Sequence, residues 1–469
     1  MADLPRFFAL LQVLSSEERA QFRKWLTGTY HRRDDLYRRA FAAAIKVKPE
    51  RYRPEKFFAH IYPDRAFEVE QLRRLLSELT QLLERFLAWR EMEADDRLRS
   101  YFVRRAIGRR KLTGHYTSLL KRDGKIAPRY DSVGMLHRYL YALNKLDTRT
   151  GVPDKSYEDD LLQTIEALDR AYQSERLFLE GIYANFKQIY RLPSESDRSL
   201  RYLEVPNFES PELEVPRLLR DLLLEHNDDQ LIRLLHLLDP YLQMVGKTRG
   251  NYLIRQLNSH LYRRLRVTPD GNYHRIIFDL FRKGLNLGIL TERYSIDQTL
   301  FLNCVNLGLR NGELRWVEDF IDRYSPLLHK ELQLQATQLA KGQLALAQNR
   351  LDKAEKYLTN DFTVLNINLT ARSLLLRLYY LQSLDRPEAH DELLKRLDQF
   401  DDWLRNLRQK DFVKQRKAAY LKTSRVVRQL IEIRVSVGDR KKRKARLLRS
   451  IEEQEIFLPQ WLQQAIQNL

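Results

Sequence analysis

The sequence has a single cysteine, Cys304, among its 469 residues. One thiol cannot form an internal disulfide, which excludes a small disulfide-stapled secreted domain and fits a reducing compartment. The chain also lacks any run of roughly 18 to 20 uncharged apolar residues, which a membrane-spanning helix would need. Its N-terminal stretch carries Asp3 and Arg6 early and has no small-residue cleavage site, so no signal peptide is predicted. We therefore expect a cytoplasmic protein with no membrane span.

Nucleotide-binding motifs are missing as well. The sequence has no GxGxxG, and the tripeptide Gly246-Lys247-Thr248 lacks the first glycine of a phosphate loop, because Tyr241 stands in that position. The residues before the tripeptide predict a helix, whereas a phosphate loop follows a strand. We therefore interpret Gly246 as the cap of a helix C-terminus and predict no bound cofactor.

Clusters that would perform catalysis or hold a metal are equally scarce. The ten histidines form no HExxH motif. Their densest group would meet in a helical hairpin but is more typical of a capped, solvated helix: His226, Asp228, Asp229 and His236. Cys304 lies among apolar residues without a thiolate-stabilising neighbour, so we interpret it as a buried small hydrophobe. We predict no catalytic residue and no metal site, and we expect that the protein is not an enzyme.

Strand patterns bounded by Asn-Gly or Asp-Gly are scarce, and apolar residues instead recur at spacings of three and four residues. This spacing predicts an all-α fold of about twenty helices, each buried on one side. The clearest stripes are Leu72, Leu75, Leu76, Leu79, Leu82, Leu83, Phe86 and Leu87; Leu161, Leu162, Ile165 and Leu168; and Leu374, Leu375, Leu378 and Leu381.

Helix starts are marked by Ser15 or Ser16, by Asn227-Asp228 and by Ser295. Three turn-rich segments interrupt the pattern, at 147–155, 193–216 and 436–441, and the second holds four prolines. Such a segment is typical of a domain boundary or a long packed loop. The predicted organisation is an N-terminal helical domain (1–150), a helical hairpin with a proline-rich connector (151–216), and a helical-repeat domain with basic C-terminal helices (217–469).

Two segments of the C-terminal half repeat one pattern at a distance of 37 residues: Gly312-x-Leu314-x-x-Val317-x-x-x-Ile321 and Asn349-x-Leu351-x-x-Ala354-x-x-x-Leu358. A looser third copy begins at Ala389 and reaches Leu393 four residues on. The pattern resembles divergent tetratricopeptide repeats over 290–400, without the tryptophan and tyrosine usual in their first helix. The resemblance implies an α-solenoid, because a single helix pair cannot bury its apolar face and stacked pairs can.

Over most of its length the chain resembles a group of uncharacterised bacterial all-helical proteins. The motifs that carry this likeness are Leu14-Ser-x-x-Glu18-x-x-x-Phe22 followed by Tyr30, Phe57-Phe58-x-x-Ile61-Tyr62-Pro63, Leu72-Arg73-x-Leu75-x-Ser77-x-Leu79 and Ala371-Arg372-x-Leu374-Leu375. They are structural motifs, so the resemblance implies a fold and no activity.

Residues 54–83 also resemble the two helices of a winged-helix DNA-binding module. Some bacterial activators join such a module to tetratricopeptide-like helices. The sequence departs from this pattern after residue 83, because the helix is predicted to run on through Trp89 towards Arg99, where a winged-helix module has a strand-turn-strand wing.

The net charge of +19 is concentrated in two segments. Residues 101–150 carry +9 and residues 401–450 carry +12, so the rest of the chain is close to neutral. Tyr101, Phe102, Tyr116, Tyr130, Tyr139 and Tyr141 flank the cations of the first segment. The candidate phosphate-contacting residues are Arg104, Arg105, Arg109, Arg110, Lys111, Arg440, Lys441, Lys442, Arg443 and Lys444.

Two functions fit this sequence. The first is a non-enzymatic scaffold that binds a protein or peptide along its helical surface. The alternative is a nucleic-acid-associated protein that contacts the phosphate backbone through 101–150 and 410–449, with the aromatic residues stacking on bases. A third interpretation of the cations is a solvated face that pairs with the acidic region 151–230. The sequence leaves open which partner binds, and whether the two basic segments form one surface.

Overall fold

The computed structural model describes residues 4–27, 34–48, 51–110, 112–126, 129–147, 155–190, 210–268, 272–291, 295–385, 389–407, 414–435, 440–452 and 459–469. Within these ranges the chain forms 22 α-helices and no strand, which confirms the predicted all-α fold. None of the helices in the described ranges is both long and apolar enough to cross a lipid bilayer.

The chain divides into two compact units, Met1–Leu177 with Leu203–Leu213, and Phe178–Tyr202 with Glu214–Leu469. The three-part organisation with limits at 150 and 216 stays a prediction. Of the turn-rich segments predicted from the sequence, residues 148–154, 191–209 and 436–439 lie outside the described ranges.

Eight helices lie within the first unit, and a ninth, α9, contains one of the unit boundaries. They are α1 (Arg6–Val13), α2 (Ser16–Trp25), α3 (Asp34–Lys46), α4 (Pro54–Ile61), α5 (Val69–Ala94), α6 (Asp96–Arg109), α7 (Thr113–Asp123), α8 (Ser132–Asp147) and α9 (Lys155–Tyr190). Ser15 caps α2 as predicted: its hydroxyl accepts from the Glu18 N–H, and the Glu18 carboxylate accepts from the Ser15 N–H.

Helix α5 is the central element of the N-terminal core. Its predicted stripe from Leu72 to Phe86 is buried, and it packs on the aromatic rings of Phe22, Phe41 and Phe58. The helix continues to Ala94, and α6 begins two residues later. The described residues that follow α5 therefore contain no wing, and the likeness to a winged-helix module ends with the helices.

The remaining helices begin with α10, which contains the second boundary, and continue through the second unit. They are α10 (Pro211–Leu224), α11 (Asp228–Met244), α12 (Lys247–Val267), α13 (Tyr273–Asn286), α14 (Gln298–Arg310), α15 (Leu314–Tyr324), α16 (Lys330–Ala347), α17 (Leu351–Leu358), α18 (Leu365–Asp385), α19 (Ala389–Asn406), α20 (Lys414–Val435), α21 (Arg440–Glu452) and α22 (Pro459–Gln467).

Three local predictions in this unit need correction. The connector predicted over 193–216 ends in helix α10, which begins at Pro211 and continues through Pro216. Proline is tolerated at the first position of a helix, where Pro211 stands. Asp297, not Ser295, caps α14 by accepting from the Leu300 N–H. Gly246 is the N-cap of α12 and does not end α11, whose C-cap is Val245.

The two sequence repeats adopt the same turn. Gly312 and Asn349 both have a left-handed backbone, with φ of +74° and +56°. The residue after each donates its N–H to the carbonyl five residues back, Glu313 to Gly308 at 2.9 Å and Arg350 to Ala345 at 2.8 Å. The shared turn explains why glycine and asparagine, the two residues that tolerate this conformation best, occupy equivalent positions.

Candidate functional site

Arg104 differs from the other predicted phosphate contacts because it is fully buried. Its Nη1 donates to Asp123 Oδ2 at 2.7 Å, and the Ser100 hydroxyl donates to the same carboxylate oxygen. The guanidinium also lies 5.4 Å from the centre of the Tyr141 ring. A buried, ion-paired side chain is not available to a ligand at the surface, so Arg104 leaves the candidate set.

The other cations of the first group lie at the end of α6. Arg105, Arg109 and Arg110 are exposed, and Arg110 Nη1 donates to the Ala106 carbonyl at 2.8 Å. Lys111 lies outside the described residues. Three exposed arginines therefore remain as candidates in this segment.

Further along the same segment, several cations are neutralised within the first unit. Arg129 pairs with Asp95 at 3.1 Å and with Asp131. Two more pair with the acidic region 151–230: Lys145 with Asp160 at 2.6 Å, and Arg138 with Glu212 at 3.4 Å. These pairs are the ones that the solvated-face interpretation of the cations expects.

The aromatic residues of this segment take part in internal contacts. Tyr116 is buried and donates its hydroxyl to the Asn144 carbonyl at 3.1 Å, and Tyr130 lies beneath the Arg138 guanidinium. Phe102 is about half exposed, at 47%. The surface therefore offers fewer rings for base stacking than the sequence predicts.

The second basic group lies in the first turns of α21. Arg440, Lys441, Lys442 and Arg443 are exposed, whereas Lys444 is half-buried and donates to the Gln467 carbonyl at 2.7 Å. The cations of α21 thus project from one short helix. The two basic groups belong to different compact units.

On the neighbouring helix α20, some of the cations that precede α21 have internal partners. Arg428 pairs with Asp398 at 2.9 Å and with Asp401 at 3.1 Å. Lys417 donates to the carbonyl of Arg405 at 2.8 Å. The charge of 401–450 is therefore partly compensated on α20 and displayed mainly on α21.

Helix α9 carries the largest departure from the sequence expectation. Its apolar stripe is helical as predicted, but in the part that belongs to the first unit it faces solvent. The exposed fractions are 39% for Leu161, 57% for Leu162, 49% for Ile165, 47% for Leu168 and 57% for Tyr172. The same stretch exposes Glu158, Asp159, Glu166 and Asp169 beside the stripe.

From Asp160 to Ser174, the buried face of α9 is polar. Asp160, Thr164 and Ser174 are each no more than 6% exposed. Asp160 accepts from Lys145, and the Ser174 hydroxyl donates to the Glu212 carbonyl at 3.3 Å. This part of α9 is therefore held in the first unit by polar contacts, and the large apolar side chains of the stripe are exposed. Exposed contiguous apolar stripes are typical of surfaces that bind a partner.

His226 lies in a polar cluster that differs from the one its sequence neighbours predict. Its Nδ1 is 2.9 Å from Nε2 of His260, and its Nε2 is 3.0 Å from Asp228 and 3.1 Å from the Tyr273 hydroxyl. His260 and Tyr273 come from α12 and α13. They are distant from His226 in sequence, so the sequence did not predict their contact with it. Across the described ranges, no three His, Cys, Asp or Glu side chains are placed to hold a metal ion.

Cys304 is fully buried in α14, as predicted. Burial raises the pKa of its thiol well above the ordinary value, so the sulfur stays protonated and is a poor nucleophile.

The sequence matches no protein-family model, no curated protein and no solved structure. The interpretation of function therefore rests on the geometry of the described residues.

Proposed function

We propose that this protein is a non-enzymatic helical scaffold that binds a protein or peptide partner. The exposed apolar stripe of α9, from Leu161 to Tyr172, carries this proposal. Covering a half-exposed leucine or isoleucine removes apolar area from water and contributes on the order of 1 kcal/mol per side chain. A partner helix that covered all five side chains would gain several kcal/mol from this strip alone. The single cysteine fits a scaffold that acts in the cytoplasm.

The finer architecture that we propose is a tetratricopeptide-like α-solenoid over the second unit. Consecutive helices from α12 to α20 pack on one another, and α14, α16 and α18 also pack on the helix two places ahead. The equivalent left-handed turns at Gly312 and Asn349 support a repeated helix pair. Stacked pairs of this type form extended surfaces that are suited to partner binding.

The stripe is tested by replacing Leu162, Ile165 and Leu168 together with glutamine, which retains helix propensity and removes apolar area. Full-length parent and variant are used as bait in native lysate from the source cells, and captured proteins are quantified. We expect the parent to retain a stoichiometric partner and the variant to lose most of it. If the parent captures no stoichiometric partner, the scaffold proposal is wrong.

A matched control changes three apolar residues that are more exposed than those of the stripe and lie on three different helices, α1, α16 and α20. These are Val13, Leu334 and Val435, which are 78%, 70% and 67% exposed. Their triple glutamine variant loses the same kind of surface without touching the stripe, so it should retain the partner. Equal loss in both variants would point to general stickiness and contradict a defined site.

A second candidate function is favoured by the cationic surface of α21: association with a nucleic acid through its phosphates. Arg440, Lys441, Lys442 and Arg443 are exposed on adjacent positions. Phosphate binding of this kind releases counterions, so the affinity should fall steeply as salt rises.

Reversing those four residues to glutamate should abolish binding of a fluorescent double-stranded oligonucleotide at low salt. The control reverses Arg315 and Lys353, which are exposed on α15 and α17 and belong to neither candidate group, and it should retain the affinity of the parent. If the parent does not bind at low salt, or if the α21 variant retains its affinity, this second candidate is wrong.

A further inference from the structure

A pocket of about 270 Å³ lies in the second unit where α17, α18 and α19 meet. The loop after α17 forms one wall, and side chains of α18 and α19 form the others. Arg372, Tyr379, Arg396 and Gln399 supply its main polar groups. The volume suits a small charged group or one side chain, and it is close to the lower end of the range for ligand pockets.

Arg372 is held in place at one nitrogen and by its flat face. Its Nε donates to Asn368 Oδ1 at 2.7 Å, and its guanidinium stacks 4.4 Å from the centre of the Trp403 ring. Asn368 is itself fixed, because its amide donates to the Phe362 carbonyl at 2.7 Å. The orientation of the guanidinium is therefore set before any ligand arrives.

The terminal nitrogens of Arg372 have no hydrogen-bond or ion-pair partner in the ranges that the structure describes. Burial without a compensating carboxylate lowers the pKa of Arg372 from its ordinary value. The side chain nevertheless stays protonated at neutral pH, because a guanidinium is charged in proteins. Four N–H groups with their positive charge are thus left to face the pocket.

Arg396 adds a second charge from α19. Its Nε is paired with Glu392 at 2.7 Å on the same helix, and its guanidinium lies 5.4 Å from the centre of the Tyr379 ring. Asp361 is the one carboxylate among the described lining residues, and it is exposed. Nearby Glu355 accepts from the Tyr379 hydroxyl and from Gln382. The side chains that line the pocket therefore carry two positive charges and one negative charge.

We propose that this pocket binds an oxyanion group, a carboxylate or a phosphate, between Arg372 and Arg396. A planar guanidinium presents parallel N–H donors that match the oxygens of either group, and such charge-assisted bonds are the strong ones. The aromatic rings of Tyr379 and Trp403 exclude water from the flat faces of the two arginines. This inference is independent of the stripe on α9.

The test compares three peptides that differ at one residue: acetyl-Gly-X-Gly-amide with X as glutamate, phosphoserine or glutamine. Calorimetric titration of the full-length protein at low salt should give saturable, sub-millimolar binding of at least one charged peptide and none of the glutamine peptide. Preference between the glutamate and phosphoserine peptides identifies the source of the oxyanion. Inorganic phosphate at millimolar concentration should compete.

The decisive variant is Arg372→Gln, which should weaken binding at least tenfold, and Arg396→Gln should weaken it as well. Arg405→Gln removes one exposed charge from the same helix α19 outside the pocket and should leave the affinity unchanged. Circular dichroism establishes that each variant is folded, and Arg396→Gln decides the matter if Arg372→Gln is not. The proposal is overturned if neither charged peptide binds the parent, or if both pocket variants bind as the parent does.

Discussion

The buried ion pair of Arg104 and Asp123 is expected to contribute strongly to the stability of the first unit. Both side chains are at most 1% exposed, and the pair is joined by the Ser100 hydroxyl. Removing one partner of a buried pair leaves the other charge uncompensated, which costs about 3–5 kcal/mol. We expect Asp123→Ala to lower the free energy of unfolding by that amount, measured by urea denaturation.

The matched control is Glu70→Ala, which removes an ion pair of similar length at the surface. Glu70 and Arg73 are 2.8 Å apart, but their side chains are 82% and 72% exposed. Pairs of this kind contribute about 0–1 kcal/mol. Equal effects of the two substitutions would mean that Arg104 does not need its partner.

His260, which is buried, and His137, which is half-buried, predict how the stability of the protein depends on pH. Burial lowers the pKa of His260 to about 4, with repulsion from His226 adding to the effect, and burial lowers that of His137 to about 4, with repulsion from Arg104 adding. Between pH 6.5 and pH 4 these two histidines bind protons in the unfolded chain but stay neutral in the folded chain. Their contribution to the free energy of unfolding should therefore be constant above pH 7 and should fall as the pH is lowered from 6.5 to 4.

For His260, which is 4% exposed, the loss should approach about 3 kcal/mol by pH 4. The measurement is the urea midpoint at steps of pH for the parent and for His260→Gln. The variant should show a shallower fall between pH 6.5 and 4. An unchanged slope would mean that His260 titrates in the folded state as it does in the unfolded state.

For single residues, the sequence predicted burial where it depends on neighbouring residues. It did not predict burial or partners that depend on residues of other helices. Cys304 stands among apolar residues, so its burial followed from its neighbours. Arg104 stands in a run of cations, and nothing local distinguishes it from the exposed Arg105. Its burial depends on Asp123, which comes from another helix. The partners of His226 were missed for the same reason.

The two sequence repeats differ at one helix–helix contact. A Cβ atom on Gly308 would overlap Val317 Cγ2, so this glycine is required by close packing of α14 on α15. Thirty-seven residues later, the equivalent positions are Ala345 and Ala354. At this contact the second repeat thus has two small side chains, where the first has one glycine and one valine.

This difference predicts a non-additive double substitution. Gly308→Ala alone should destabilise by about 2 kcal/mol through overpacking, and Val317→Ala alone by about 2 kcal/mol through a cavity. The double variant should cost about 1–2 kcal/mol less than the two together, since each change relieves the other. Thermal and urea unfolding of the four proteins measures the coupling. Simple additivity would contradict the proposed equivalence of the two repeats.

For whole elements, periodicity predicted helices well and their burial less well. The Leu72–Phe86 stripe and the α9 stripe have the same spacing, yet one is buried and the other exposed. Spacing reports that apolar residues share a face, and it does not report what lies opposite that face. From Asp160 to Ser174 the buried side of α9 is polar, so the hydropathy pattern did not identify it as the face that packs.

For the molecule as a whole, the division into two units predicts more than one unfolding transition. Phe41 is fully buried in the core of the first unit, and Leu430 is fully buried in the core of the last helices. Phe41→Ala and Leu430→Ala should each cost about 3–5 kcal/mol. By calorimetry of the full chain we expect each substitution to lower a different transition. A single transition that both substitutions lower would show that the chain unfolds as one unit.

The distribution of charge is a molecular property that the sequence located but did not interpret. The +19 net charge was assigned to two segments, and the structure separates their members by environment. Arg104 is internal, Lys145 and Arg138 are paired with acids, and the α21 cations are exposed. Block counts cannot make this distinction, because they treat every charge as if it were in water.

The burial of Cys304 has a practical consequence for studying the native chain. Because its sulfur is the one thiol and is shielded, a cysteine introduced at an exposed position such as Leu334 would be the sole target of a water-soluble maleimide in the folded protein. A fluorophore or spin label can thus be attached at a chosen point without first removing the natural cysteine. In the unlabelled parent, Cys304 would react only when α14 opens locally. The rate of its modification would therefore measure how often α14 opens.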